Sequence, residues 1–361
     1  MKKRNKLSMF LAVTALLIGV VGCGNNTAKT PGSANTNTGA GNAANTSNEG
    51  AANDTAKGSY KIAISQYVEH PSLDATREGF MAALKDAGLI EKENLTVDYS
   101  NAQADPTNNM SIAQKIAGEK YDLVLGIATP PAIALAGQVK NSPVLFAAVT
   151  DPLDAKLVDN LEKPGGNISG ASDTNPEAIT KLMNFIATNF KDVKNVGVVL
   201  NQGEPNAVVM ADLAEKELEK SGIKMVRAAV TNTSEVKQAA ESLVGRADAI
   251  YITLDNTVVE AVNSVIKVAN DNDIPFFSAD RDTVENGAFA TVGFKYFDHG
   301  YQVGQMAVEV LKNGKKVGDM SVTVPDKLDL ILNLKAAAEQ GIEVTDAMKN
   351  EVQDQENNLI Q

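Results

Sequence analysis

The chain has 361 residues, 43% of them hydrophobic, and a formal net charge of −12. That is apolar material for two ordinary domains. The acidity, the lack of Trp and the absence of a basic block argue against nucleic acid and against a polybasic membrane patch.

The first residues, MKKRNKLSMFLAVTALLIGVVGC, join a basic segment (Lys2, Lys3, Arg4, Lys6) to an apolar run from about Met9 to Val21. The run is too short for a spanning helix and predicts a signal peptide over residues 1–22. Val20-Val21-Gly22-Cys23 resembles the bacterial lipobox, in which the cysteine is lipidated and becomes the mature N-terminus. Cys23 is the only cysteine, so no internal disulfide can form. From Gly24 to Gly58 the chain is mostly Asn, Thr, Ala, Gly and Ser, which cannot bury enough surface to offset chain entropy. Residues 23–58 are therefore expected to be a lipidated (palmitate-bearing) Cys23 and a disordered tether. They would hold the body at the outer face of the cytoplasmic membrane.

From Tyr60 onward, short β-rich runs alternate with helical patterns. KIAIS (61–65) precedes a helix over 71–87, LTVDY (95–99) precedes a helix through Ile112 and Ile116, and DLVLGIA (122–128) precedes one over 132–139. PVLFAAV (143–149) follows. The order restarts with NVGVVL (195–200), a helix over 207–220, IKMVRAAV (223–230), ADAIYITL (247–254), a helix through Val265, and IPFFSAD (274–280). Ile62 and Gly88 correspond to Val196 and Gly222 at one offset of 134 residues. Asp122 corresponds to Asp248, and Pro143 to Pro275. Repeated βα units predict an α/β fold with two doubly wound parallel-sheet lobes.

In such sheets ligands sit beyond the carboxyl ends of the strands. The junctions there are Gln66-Tyr67-Val68-Glu69-His70-Pro71, Thr129-Pro130-Pro131, Thr150-Asp151-Pro152, Asn201 to Asn206, Asp255-Asn256-Thr257 and Asp280-Arg281-Asp282. Taken singly, each is ordinary helix capping. Taken together they supply anion acceptors on one lobe and carboxylates on the other, a clamp for a zwitterion. Thr129 and Thr150, with neighbouring N–H groups, are the expected carboxylate site. Asp280, then Asp255, is expected to receive an ammonium. Gln66, Glu69, His70, Asp151, Asn201, Glu204, Asn206 and Asn256 are further candidates, with Tyr67, Pro130 and Phe277 for a side-chain pocket. No phosphate-binding, nucleophile-elbow or metal-ligand motif is present, so no cofactor, metal or catalytic group is expected.

ISQYVEHPSLDATREGF, LGIATPPAIALA, LFAAVTDPLDAKLV, KPGGNISGASD, NQGEPNAVV, YITLDNTVV and GFKYFDHGYQVGQMA together resemble the tryptophan/tyrosine ABC-transporter substrate-binding protein family. The resemblance spans about Tyr60 to Ile342. It implies a type I periplasmic binding protein fold with three hinge crossings, near Gly166–Ser172, Thr291–Phe294 and Val317–Val322. The N-terminal lobe would then hold residues 59–167 and 294–318, and the C-terminal lobe residues 168–293 and 319–361. It further implies a monomer that closes on an aromatic amino acid and delivers it to an ABC permease and ATPase, with no chemistry of its own. A sugar or nucleoside ligand on the same fold, and a ligand sensor for a membrane receptor, stand as alternatives.

Overall fold

The computed structural model describes residues 58–325 and 327–361. The expected signal peptide, Cys23 and nearly all of the tether lie outside these. The first sheet comprises β1 (Tyr60–Gln66), β2 (Leu95–Asn101), β3 (Leu123–Ile127), β4 (Val144–Val149) and β5 (Ile168–Ser172). Its strands are all parallel, in the order β2-β1-β3-β4-β5. Helices α1 (Pro71–Asp86), α2 (Pro106–Ala117) and α3 (Thr129–Gln138) follow β1, β2 and β3. β3 and β4 are buried at every position, as the two covered faces of a parallel sheet require.

The second lobe runs through α4 (Pro176–Asn189), β6 (Asn195–Asn201), α5 (Pro205–Glu219), β7 (Lys224–Val230) and α6 (Val236–Glu241). It continues with β8 (Ala249–Ile252), α7 (Asn256–Glu260), α8 (Val262–Asp271), β9 (Phe276–Ser278), α9 (Arg281–Asn286) and β10 (Ala290–Gly293). After α10 (Tyr296–Leu311) come β11 (Asp329–Asn333), α11 (Leu334–Glu339), α12 (Asp346–Glu351), α13 (Gln355–Asn358) and β12 (Leu359–Ile360). The second sheet has the order β12-β11-β10-β9-β8-β6-β7, with only β10 and β11 antiparallel.

Helix α10 belongs to the first lobe. It lies against α1 so closely that a Cβ at Gly79 would meet the Phe297 carbonyl, and one at Gly300 the Thr76 carbonyl. This contact brings Tyr296 and His299 under the ends of β4 and β5. His299 Nε2 accepts the Ala148 N–H at 3.0 Å.

Two lobe boundaries move. β5 pairs with β4, Val144 opposite Ile168, so the first sheet reaches Ser172 rather than residue 167. Ser169 Oγ donates to the Met320 carbonyl at 2.7 Å, and Ala171 bridges Thr323. The last stretch therefore stays with the first lobe to Thr323, not to residue 318. Extra strands are easily misassigned at crossings, because a five-residue buried run fits either sheet.

Candidate functional site

Between the carboxyl ends of the two sheets lies a narrow cavity. The first lobe lines it with His70, Ser72 and Leu73 at the start of α1, Ala148 and Thr150 at the end of β4, and Tyr296. The second contributes Asn206, Leu254, Asn256, Val259 and Asp280. Asp173 sits on the crossing between them. The lobes touch directly: Ser72 Oγ donates to Asp280 Oδ1 at 3.0 Å, and His70 Nε2 stands 3.5 Å from Asn256 Oδ1.

The walls are rich in acceptors. With a proton on Nε2 facing Asn256, His70 Nδ1 is left as a buried acceptor without a partner, and Asn206 Oδ1 is another. Burial holds the His70 imidazole below its ordinary pKa, although the Asp280 carboxylate pulls the other way. The Asp173 carboxylate accepts the Tyr296 and Thr174 hydroxyls, each at 3.2 Å, and its own backbone N–H. Burial raises its carboxyl to about 6 against these bonds. On α9, burial and then Asp280 push Asp282 up to about 7. Donors converge at the start of α1. His70 gives no side-chain cap, so the first-turn amides of Ser72 and Leu73 lack an intrahelical partner beside the Thr150 side chain.

Of the residues expected from the junctions, His70, Thr150, Asn206, Asn256 and Asp280 line this cavity. The others are engaged elsewhere. Glu204 caps α7, its two oxygens accepting from Asn256 N and Nδ2 and from Thr257 N and Oγ1 at 2.6–3.0 Å. Asp255 accepts the Asn201 N–H at 2.5 Å and the Val258 N–H at 3.1 Å, and burial beside Glu204 raises its pKa. Asn201 bonds Thr257 and the Gly203 N–H. Gln66 bonds the Val68 carbonyl and Asp74, Tyr67 the Ala104 carbonyl, and exposed Glu69 takes the Tyr99 hydroxyl. Asp151 closes its own turn through the amides of Leu153 and Asp154. Phe277 packs in a cluster with Phe190 and Phe289.

The Thr129-Pro130-Pro131 junction is also corrected. The N-cap is Ala128, with φ +87 and no side-chain cap, and Thr129 is already helical. Pro130 and Pro131 have no N–H, and Ala132 N–H is used by the Ala128 carbonyl at 3.2 Å. The prolines thus strip α3 of the donors an anion needs. Thr129 Oγ1 instead accepts the Thr150 N–H at 3.4 Å, supporting the neighbouring junction. Asp173, Ser72 and Tyr296 were missed. The short segment Ser172-Asp173-Thr174 reads as an ordinary turn until β5 is recognised as a strand ending at the cleft.

Residues 61–355 match the family described as ABC transporter substrate binding protein. The chain belongs to that family. This substrate-binding protein is 41% identical over 289 residues to the tyrosine-binding protein of Clostridioides difficile (strain R20291), covering 80% of this chain and 83% of the relative. It superposes at TM-score 0.77 on an ABC domain in complex with L-Trp from Streptococcus pneumonia, 32% identical, over 82% of this chain and 99% of that one. On the ligand-free, open structure of a substrate binding protein with adhesive properties from Clostridium difficile the TM-score is 0.60, at 39% identity and 83% and 98% coverage. The fold is that of type I periplasmic binding proteins. Like its relatives the substrate-binding protein binds a small molecule and is not an enzyme. Among the described residues no helix is long and apolar enough to cross a membrane.

Proposed function

We propose that this is a lipid-anchored extracytoplasmic binding protein that closes on an aromatic amino acid and hands it, as a monomer, to the permease and ATPase of an ABC importer. The observation that carries the reading is the buried, two-lobed cavity with carboxylates on one side and a helix start on the other. An α-ammonium would lie between Asp173 and Asp280, with Asn206 Oδ1 and His70 Nδ1 as further acceptors. The α-carboxylate would take the Ser72 and Leu73 amides and the Thr150 hydroxyl.

The sequence points first to Asp280 for the ammonium, but its carboxylate already accepts from Ser72, Ser278 and both the N–H and hydroxyl of Thr283. A carboxylate has about four acceptor positions, so Asp173, with three used against four on Asp280, is the better primary partner. Closure is supported by the direct contacts between lobes. It is also supported by the closer superposition on the L-Trp complex than on the open, ligand-free structure, despite lower identity. The names of the relatives favour tyrosine or tryptophan.

A thermal-shift panel of amino acids, sugars and nucleosides tests this. Ligand at a hundred times its dissociation constant stabilises by about 2.7 kcal/mol, a shift of a few degrees. L-Tyrosine or L-tryptophan is expected to raise the midpoint. A rise with a pentose or nucleoside alone would overturn the ligand class.

A further inference from the structure

A second, narrow pocket shares Asp173 and Leu254 with the first. It lies on the α4 and α5 side of the second sheet, and its walls are largely apolar, with Ile179, Leu182, Met210 and Val292 among them. One wall residue departs from this. Tyr251, in the middle of β8 with Val198 on one neighbouring strand and Phe277 on the other, is fully buried, and its hydroxyl has no hydrogen-bond partner among the described residues. Burial and then the Asp280 carboxylate raise its pKa, so the group stays a protonated donor. Because Asp173 and Leu254 line both pockets, the polar pocket and the phenol border one continuous wall.

Buried hydroxyls are normally paired, and an unpaired one lining a largely apolar pocket is a group for a ligand to satisfy. We propose that the second cavity receives the side chain of the bound amino acid and that Tyr251 selects a ring carrying a hydroxyl, tyrosine ahead of phenylalanine. This rests on the amino-acid reading of the first cavity. Asp173 and Leu254 form the shared wall, so a head group held at Asp173 sends its β-carbon toward the apolar space. The para-hydroxyl, farthest from the α-carbon, then meets Tyr251. Phenylalanine fills the same space but leaves the Tyr251 hydroxyl unpaired.

Titration calorimetry of L-tyrosine and L-phenylalanine against the wild-type protein and Tyr251→Phe tests this. The wild type is expected to prefer L-tyrosine by roughly 10–100-fold. Tyr251→Phe should lose most of that preference through weaker L-tyrosine binding, with L-phenylalanine nearly unchanged. An equal tyrosine-to-phenylalanine ratio in both proteins overturns the inference and leaves the amino-acid reading standing. Wild-type protein that binds neither amino acid overturns both. Tyr251→Phe removes an unpaired group, so its melting midpoint should not fall. If it does, Ala279→Leu, which adds bulk to the same cavity, should weaken both aromatic amino acids by about tenfold or more. Unchanged binding there overturns the proposal as well.

Discussion

Two buried acids show how burial alone misleads at the residue level. Glu204 is 1% exposed and Asp173 is 7% exposed, yet their environments are opposite. Glu204 is saturated by donors from α7, so its charge holds the second lobe's own loops together. Glu204→Gln replaces two acceptor oxygens by one and should cost about 2–3 kcal/mol in urea denaturation. Ligand affinity should change little once the protein is folded. Asp173 has acceptor capacity to spare and a pKa raised by burial to about 6. An ammonium beside it favours the charged form, so the bound protein holds Asp173 ionised to lower pH than the empty one. Below pH 6 binding must therefore release a proton, and affinity should fall by up to tenfold per pH unit. Above pH 6 this group leaves affinity flat. Asp173→Asn should bind more weakly and lack this component of the fall, as calorimetry between pH 4.5 and 7.5 would reveal. A wild-type affinity level across that range would remove Asp173 from the ammonium site. The sequence pointed to acids at strand ends because capping and ligand binding use the same residue types. It did not separate them, because the distinction lies in how many donors the folded neighbours already supply.

At the level of elements, two helix starts of the first lobe divide the roles that one motif was expected to play. α3 begins Thr-Pro-Pro and is poor in donors, whereas α1 begins His-Pro-Ser-Leu, with one proline and two amides without intrahelical partners on residues that line the cavity. Counting N–H groups rather than capping residues would have shown this from the sequence, since a second proline removes a donor without adding a cap. α1 is held in place by α10. The Gly79–Phe297 and Gly300–Thr76 contacts bring the two backbones together, and Gly304 would place a Cβ 2.6 Å from the Phe80 carbonyl. These glycines are needed for close approach, not for unusual dihedral angles. Gly300→Ala forces the helices apart, because the atom in the way is backbone, and should destabilise the protein by about 2–3 kcal/mol. The same displacement moves His299 from the Ala148 amide and Tyr296 from Asp173. Equilibrium denaturation would measure the stability loss. A variant as stable as the wild type would mean that the helices can separate freely.

On the scale of the whole molecule, the internal repeat was legible because matched landmarks do matched work. Asp122 Oδ2 accepts the Lys61 N–H at 2.9 Å, and Asp248 Oδ2 accepts the Asn195 N–H at 2.8 Å. Gly88 and Gly222 end α1 and α5 with φ of +78 and +74. Such local chemistry fixes each lobe but says nothing of how the lobes meet, which is set by the crossings. There the structure places two contacts that exist only when the lobes are together, Ser72 with Asp280 and His70 with Asn256. A ligand can favour closure only by interacting better with the closed form, and these contacts add to that difference. Ser72→Ala keeps the Ser72 amide but deletes a hydrogen bond to a carboxylate, worth about 1.5–3 kcal/mol, from the closed state alone. Apparent affinity should then drop about tenfold or more. Small-angle scattering should show the wild type shrinking on saturation with ligand, and the variant reaching the same compact form at higher ligand concentration. A wild-type radius of gyration that ligand leaves unchanged would sink closure itself. An unchanged affinity in Ser72→Ala would show instead that the contact follows closure without driving it.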